Sequence, residues 1–126
     1  MSDLSKRAVA CKHWRWMPGM RLTANGPSTL RVCSHTTVVV EQTGAWYHLT
    51  TLDSADHLPD LTDPATLGCL LALVREATGL PVFVCQLMSG QWVVRYASNG
   101  LDDGFVKGKW GDTEAAALVT ALEAAP

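Results

Sequence analysis

The sequence has no apolar run near the roughly 18 residues that a membrane-spanning helix requires, so no membrane association is expected. Charge is scarce: 17% of residues are Asp, Glu, Lys or Arg, against 48% hydrophobic. That balance excludes a disordered polyelectrolyte, a collagen and a low-complexity linker. Common catalytic signatures are missing too. There is no G-x-S-x-G, no phosphate loop ending in G-K-[ST], no G-x-G-x-x-G and no H-E-x-x-H. The opening stretch from Met1 to Trp14 lacks a continuous apolar segment ahead of its charges, so no export signal is expected. The four cysteines (Cys11, Cys33, Cys69 and Cys85) are therefore expected to be reduced.

What is there suffices for one domain. The 126 residues (13.6 kDa) predict a single domain spanning 1–126. Surface scaling gives roughly 6,600 Å² exposed when folded against about 20,000 Å² unfolded. A core of that size needs neither metal nor disulfide. The net charge of −2 hides an asymmetry. Residues 1–50 hold six bases against two acids, residues 51–80 one base against five acids, and residues 81–126 three bases against five. A domain that wraps duplex DNA carries a broad basic excess. Here only the first part is basic, which leaves room for a local anion site at most.

Patterning gives an α+β fold. Leu4, Ala8 and Cys11 repeat at helical spacing and predict a helix over 3–12, capped by Ser2 or Asp3 and ended before Pro18-Gly19. Residues 20–22, 29–33, 36–42 and 45–50 read as strands, with turns at Asn25-Gly26-Pro27 and Thr43-Gly44. The run Val38-Val39-Val40 implies a central strand. Asp63 as N-cap, Pro64 at the first turn and Gly79 as stop mark a second helix. Its stripe is Leu67, Leu70, Leu71, Val74 and Ala77, broadened by Leu73, with Gly68 and Ala72 small enough for a neighbouring backbone to come close. This helix is expected at the centre of the core. Residues 81–87 and 91–97 form a hairpin about Ser89-Gly90, with Trp92, Val94 and Tyr96 on one face and Val93 and Arg95 on the other. Asn99-Gly100 and Asp102-Asp103-Gly104 signal loop, and 105–111 reads as a glycine- and lysine-bearing connection. A last helix starts near Asp112-Thr113 and buries Ala115, Leu118, Val119 and Leu122. The expected architecture is one antiparallel sheet built from hairpins and packed against helices, in the order α-ββββ-α-ββ-α.

Four sets of residues could carry chemistry. Between Cys11 and Arg21 lie two indoles, three more bases than acids and a histidine. Lys12, Trp14, Arg15, Trp16 and Arg21 could hold a nucleotide or a short single strand, the indoles by stacking and the cations by their charge. The same bulky side chains would equally serve as anchors for a helix-to-strand corner. Cys11-x-His13 is echoed by Cys33-x-His35, a donor set that could bind zinc, although its spacing is unlike a knuckle. Cys33 with His35 is also a conceivable nucleophilic pair, against a plain packing role for Cys33. Cys69 and Cys85 read as small core hydrophobes, and His48 and His57 as solvated polar residues. The acidic stretch Asp53–Asp63 suits a solvated loop, a basic protein surface or a mimic of nucleic-acid charge. In 99–110, Phe105, Lys107, Lys109 and Trp110 alternate bulky and basic groups as a contact strip. No catalytic residue, metal or cofactor is assigned.

Three segments carry a resemblance: Ala10-Cys11-Lys12-His13-Trp14-Arg15-Trp16-Met17-Pro18-Gly19-Met20-Arg21, then Leu58 to Ala77 (LPDLTDPATLGCLLALVREA), and Thr113 to Pro126 (TEAAALVTALEAAP). Together they resemble a family of small accessory proteins of tailed bacteriophages and prophages. Residues 22–57 and 80–111 share nothing with that pattern. The resemblance implies a viral protein acting in the host bacterial cytoplasm, and it brings no catalytic residue with it. Its implied role is non-enzymatic binding of a host bacterial protein or defence complex, as an anti-CRISPR-type inhibitor. The alternative is a module for a nucleotide or single-stranded nucleic acid that uses residues 12–21.

Overall fold

The structure is a computed structural model that describes residues 2–23, 29–34, 37–48, 57–97 and 105–126. The side chains of 2, 48, 97 and 105–109 lie outside that description, as do the turn at 25–27, His35, Asp53, Asp56 and the loop signals at 99–104. Its elements are α1 (Ser2–Ala10), β1 (Arg21–Leu22), β2 (Leu30–Val32), β3 (Thr37–Val40), β4 (Trp46–His48), α2 (Pro64–Thr78), β5 (Val82–Gln86), β6 (Trp92–Ala97), β7 (Phe105–Gly111) and α3 (Glu114–Ala124). The α+β class and the helix-and-hairpin order match the expectation.

Two details differ. The strands form two antiparallel sheets, β1-β2-β3-β4 and β5-β6-β7, rather than one. Both sheets nevertheless contribute to one core: Leu22, Val32 and Val38 from the first join Val82 and Val94 from the second. The second difference is β7, which replaces the connection expected over 105–111. Glycine and lysine lower its intrinsic strand preference, but pairing with β6 and packing on α3 override that preference. Its register slips between Val94 and Tyr96, the mark of a bulge in an edge strand.

In the four-stranded sheet, opposite residues share a face. Leu22, Leu30 and Val40 stand in one row and Val32 with Val38 in another, all facing the core. The row between them, Arg21–Arg31–Val39–Trp46, faces away. Val39 thus sits in a central strand, as the valine run implies, but is only half-buried. In the three-stranded sheet Val82, Val84, Trp92, Val94 and Tyr96 face the core. Phe83, Cys85, Val93, Arg95 and Trp110 take the other face, in the alternation expected of β6.

The helices divide the work differently from the sequence expectation. In α2, Asp63 accepts the Thr66 amide at 3.0 Å, and Gly79 closes the helix at φ 68° by donating to the Arg75 carbonyl at 2.9 Å. Its buried positions are Thr66, Leu70, Leu73 and Val74, so the stripe is rotated away from Leu67 and Leu71, which remain half-buried. The centre of the core belongs to α3, which touches α1, α2, β5, β6 and β7. Its Ala115, Ala117, Leu118, Val119, Ala121 and Leu122 are all buried. The small residues that permit close approach are also here. A Cβ on Gly111 would stand 2.4 Å from the Ala117 nitrogen, whereas Gly68 has open space around it. No helix among the described residues is long and apolar enough to cross a membrane.

Candidate binding surface

The corner that follows α1 is built by tight turns. Cys11 donates to the Ala8 carbonyl, Trp14 to that of Cys11 and Met20 to that of Met17, at 3.0–3.1 Å. Gly19 adopts φ 102°, a backbone that disfavours any residue with a side chain, and its amide reaches the Val32 carbonyl at 2.8 Å. The corner is thereby sewn to β2.

Trp16 is 8% exposed and belongs to the core. Trp14 packs against that core, edge to face with Trp16 at 5.4 Å between ring centroids. The Trp14 indole nitrogen is buried and has no hydrogen-bond partner among the described residues. Cys11 and His13 turn to the end of α3: the Cys11 sulfur lies 3.5 Å from the Leu122 carbonyl oxygen, and His13 Nε2 lies 3.2 Å from that of Ala125. Arg7 reaches Glu123 at 2.6 Å beside them. Arg15 is exposed and ion-paired with Glu76 at 2.6 Å. Lys12 is exposed and makes no ion pair among the described residues.

Arg21 belongs to a charge cluster on the outward row of the first sheet. Its guanidinium donates twice to Glu41, at 2.9 and 2.8 Å, and stands 3.9 Å from both Asp60 and Asp63. Arg31 holds Asp63 through two bonds of 2.9 and 3.1 Å, approaches Glu41 at 3.3 Å and donates to the Gly19 carbonyl at 2.6 Å. Asp63 is buried and accepts further bonds from the amide and hydroxyl of Thr66. Bonding from Arg31 outweighs burial there and lowers the Asp63 carboxyl to about 2, with the Thr66 bonds adding to the effect. Bonding from Arg21 likewise lowers Glu41, and both arginines are raised by their partners. The Arg21 amide donates to Thr66 Oγ1 at 2.9 Å, so the cluster also fastens β1 to the first turn of α2.

This geometry lends little to the nucleotide-stacking expectation for the corner. Trp16 cannot offer a face to a base while buried, and Arg15 and Arg21 already hold carboxylates. A phosphate would have to displace Glu41 from a two-bond pair. An open cleft of about 220 Å³ does lie beside the corner, lined by His13, Leu73, Glu76 and Ala77. Among the described residues its one carboxylate, Glu76, is the partner of Arg15, and no cysteine lines it. The Cys-x-His pairs weighed as zinc donors are not brought together among the described residues. Cys11 and His13 face α3 carbonyls, Cys33 is exposed with its sulfur 3.3 Å from the Thr37 carbonyl, and His35 lies outside the described residues. No three His, Cys, Asp or Glu side chains gather as a metal set among the described residues. The exposure of Cys33 also replaces the packing role expected for it. Cys69 fits its expected part: it packs against the core, and burial raises its thiol above the ordinary range.

Large apolar side chains reach solvent elsewhere. Trp46 is 68% and Tyr47 56% exposed on β4, and Trp110 is 41% exposed on β7. Both strands are sheet edges. Trp110 is thus exposed on an edge strand, and the side chains of Lys107 and Lys109 lie outside the described residues. Trp46 and Tyr47 escaped sequence reasoning. The available signal was the stretch 42–52 (Gln-Thr-Gly-Ala-Trp-Tyr-His-Leu-Thr-Thr-Leu), which combines two aromatics with no charged residue and no proline. Compared with family models, with curated proteins and with solved structures, the chain matches none of them.

Proposed function

We propose that this chain is a non-enzymatic binding protein of phage origin that disables a bacterial defence complex stoichiometrically, in the host cytoplasm. One observation carries the binding reading: three large aromatics stand in solvent on edge strands of the two sheets. Tryptophan and tyrosine contribute strongly to protein interfaces. The resemblance of three segments to phage accessory proteins supplies the biological setting. Arg21 of the corner fits this reading, because it is engaged with Glu41 in fastening β1 to α2.

The test is protection of phage in a bacterium carrying a defined CRISPR defence, together with titration of the purified defence complex. Inhibition should rise in proportion to the chain supplied and saturate near equivalence. Trp110→Ala should weaken it while leaving the fold intact. Inhibition by far fewer copies than targets would overturn the stoichiometric reading in favour of catalysis, and no protection against any defence would overturn the inhibitor reading.

A further inference from the structure

We propose that β4 is the two-fold interface of a homodimer, in which the strand pairs antiparallel with its own copy and joins two four-stranded sheets into one of eight. This rests on reading the aromatic edges as contact surfaces, and it assigns one of them: β4 to a second copy, which leaves β7 for the partner.

The backbone phase supports the assignment. The Val40 amide donates to the Ala45 carbonyl at 2.7 Å, whereas the Glu41 amide turns the other way, to Thr29 at 3.0 Å. Even-numbered residues of β3 therefore direct their backbone groups at β4, and odd-numbered ones at β2. With Val38 opposite Tyr47 and Val39 opposite Trp46, Tyr47 bonds inward to β3. Trp46 and His48 point their amides and carbonyls out of the sheet, where no described strand meets them.

Edge strands are ordinarily protected by lysine, proline, a bulge or a covering element. Here the exposed strand carries Trp46 and Tyr47 on opposite faces, and no charge lies anywhere in 42–52. A neutral edge suits self-pairing, because two-fold symmetry sets each residue against the same surface and a charge would meet its like. It also lacks the complementary charge by which an edge selects a foreign strand. An axis beside Tyr47 brings Trp46 opposite His48 of the second copy, and four backbone bonds form. Tyr47 then meets its own equivalent at a non-hydrogen-bonded position, the closer of the two spacings at about 4.5 Å between Cα atoms.

The experiment uses the full chain in sedimentation velocity from micromolar to millimolar concentration, with oxidative cross-linking as the register test. The wild type should dimerise. Tyr47→Glu places two carboxylates at the axis, and Trp46→Pro removes an outward donor while sparing the bonds to β3. Each should weaken self-association at least about tenfold with an unchanged far-ultraviolet spectrum. Tyr47→Cys should form a covalent dimer readily, since that Cα spacing admits a disulfide. Trp46→Cys and the wild type, whose own cysteines serve as background, should not. A monomeric wild type at every concentration, a dimer indifferent to both β4 variants, or equal cross-linking from positions 46 and 47 would each overturn the proposal. Defence inhibition measured on Tyr47→Glu separates the two readings: its retention with loss of the dimer leaves binding through β7 standing, and a dimer without any defence inhibition removes the function and keeps the interface.

Discussion

The two sheets are anchored by different physics. The first is fastened to the start of α2 by directional polar bonds: Arg21 and Arg31 meet Glu41, Asp60 and Asp63, and Thr66 joins them to the backbone. The second lies on α3 through apolar contact and the closeness that Gly111 allows. The first should therefore respond to pH and to the loss of single charges, and the second to changes in volume. A charge cluster fixes register and orientation, because its bonds have geometry. Apolar packing contributes more stability per side chain but tolerates small rotations.

The largest effect is expected where α3 meets the second sheet. Leu118 is fully buried, and Leu118→Ala should cost about 3 kcal/mol in urea unfolding, through lost transfer energy and a cavity. Gly111→Ala should cost about 2 kcal/mol, because the new methyl would overlap the backbone at Ala116 and Ala117. If that substitution is neutral, β7 does not approach α3 as described.

Asp63→Asn tests the first sheet. It removes the charge that accepts both short Arg31 bonds, leaving Glu41 at 3.3 Å, and should lower stability at neutral pH by on the order of 2 kcal/mol. The same term should fade in the wild type under acid. The Asp63 carboxyl is lowered from the ordinary 3.8 to about 2, so its contribution is complete above about 4 and is lost as pH falls through about 2. Thermal melts of wild type and Asp63→Asn should converge across that window. Parallel curves would show that the cluster does not anchor the sheet. The smallest effect belongs to Arg15→Ala. Both partners of the Arg15–Glu76 pair are more than half exposed, so the melting curve should scarcely move.

The sequence was most informative where one residue has one job. Asp63, Pro64 and Gly79 bound α2 because capping chemistry is local, and alternation along β6 assigned its faces because side chains in a strand alternate whatever lies beside them. Pairing between distant hairpins leaves no such local mark, so two sheets were not separable from one. The β7 strand was hidden for a related reason: Gly108 and Gly111 look like breakers until the bulge and the neighbouring helix are known. In the candidate site, tryptophan next to arginine suggested a ligand, yet the partners that claim Arg21 and Arg31 lie up to 42 residues away along the chain. Edge status likewise depends on topology, which is why Trp46 and Tyr47 were silent in the sequence and Trp110 was found by its basic neighbours alone.

Because α3 follows every strand in chain order and touches both hairpin strands and β7 of the second sheet, its arrival completes the interior. A nascent chain emerging from the ribosome presents Val82, Val94 and their neighbours without cover until that helix has been synthesised. Closure of this core therefore waits for that helix. A stop or frameshift shortly before residue 114 would release a chain suited to chaperone capture or proteolysis rather than a smaller working domain.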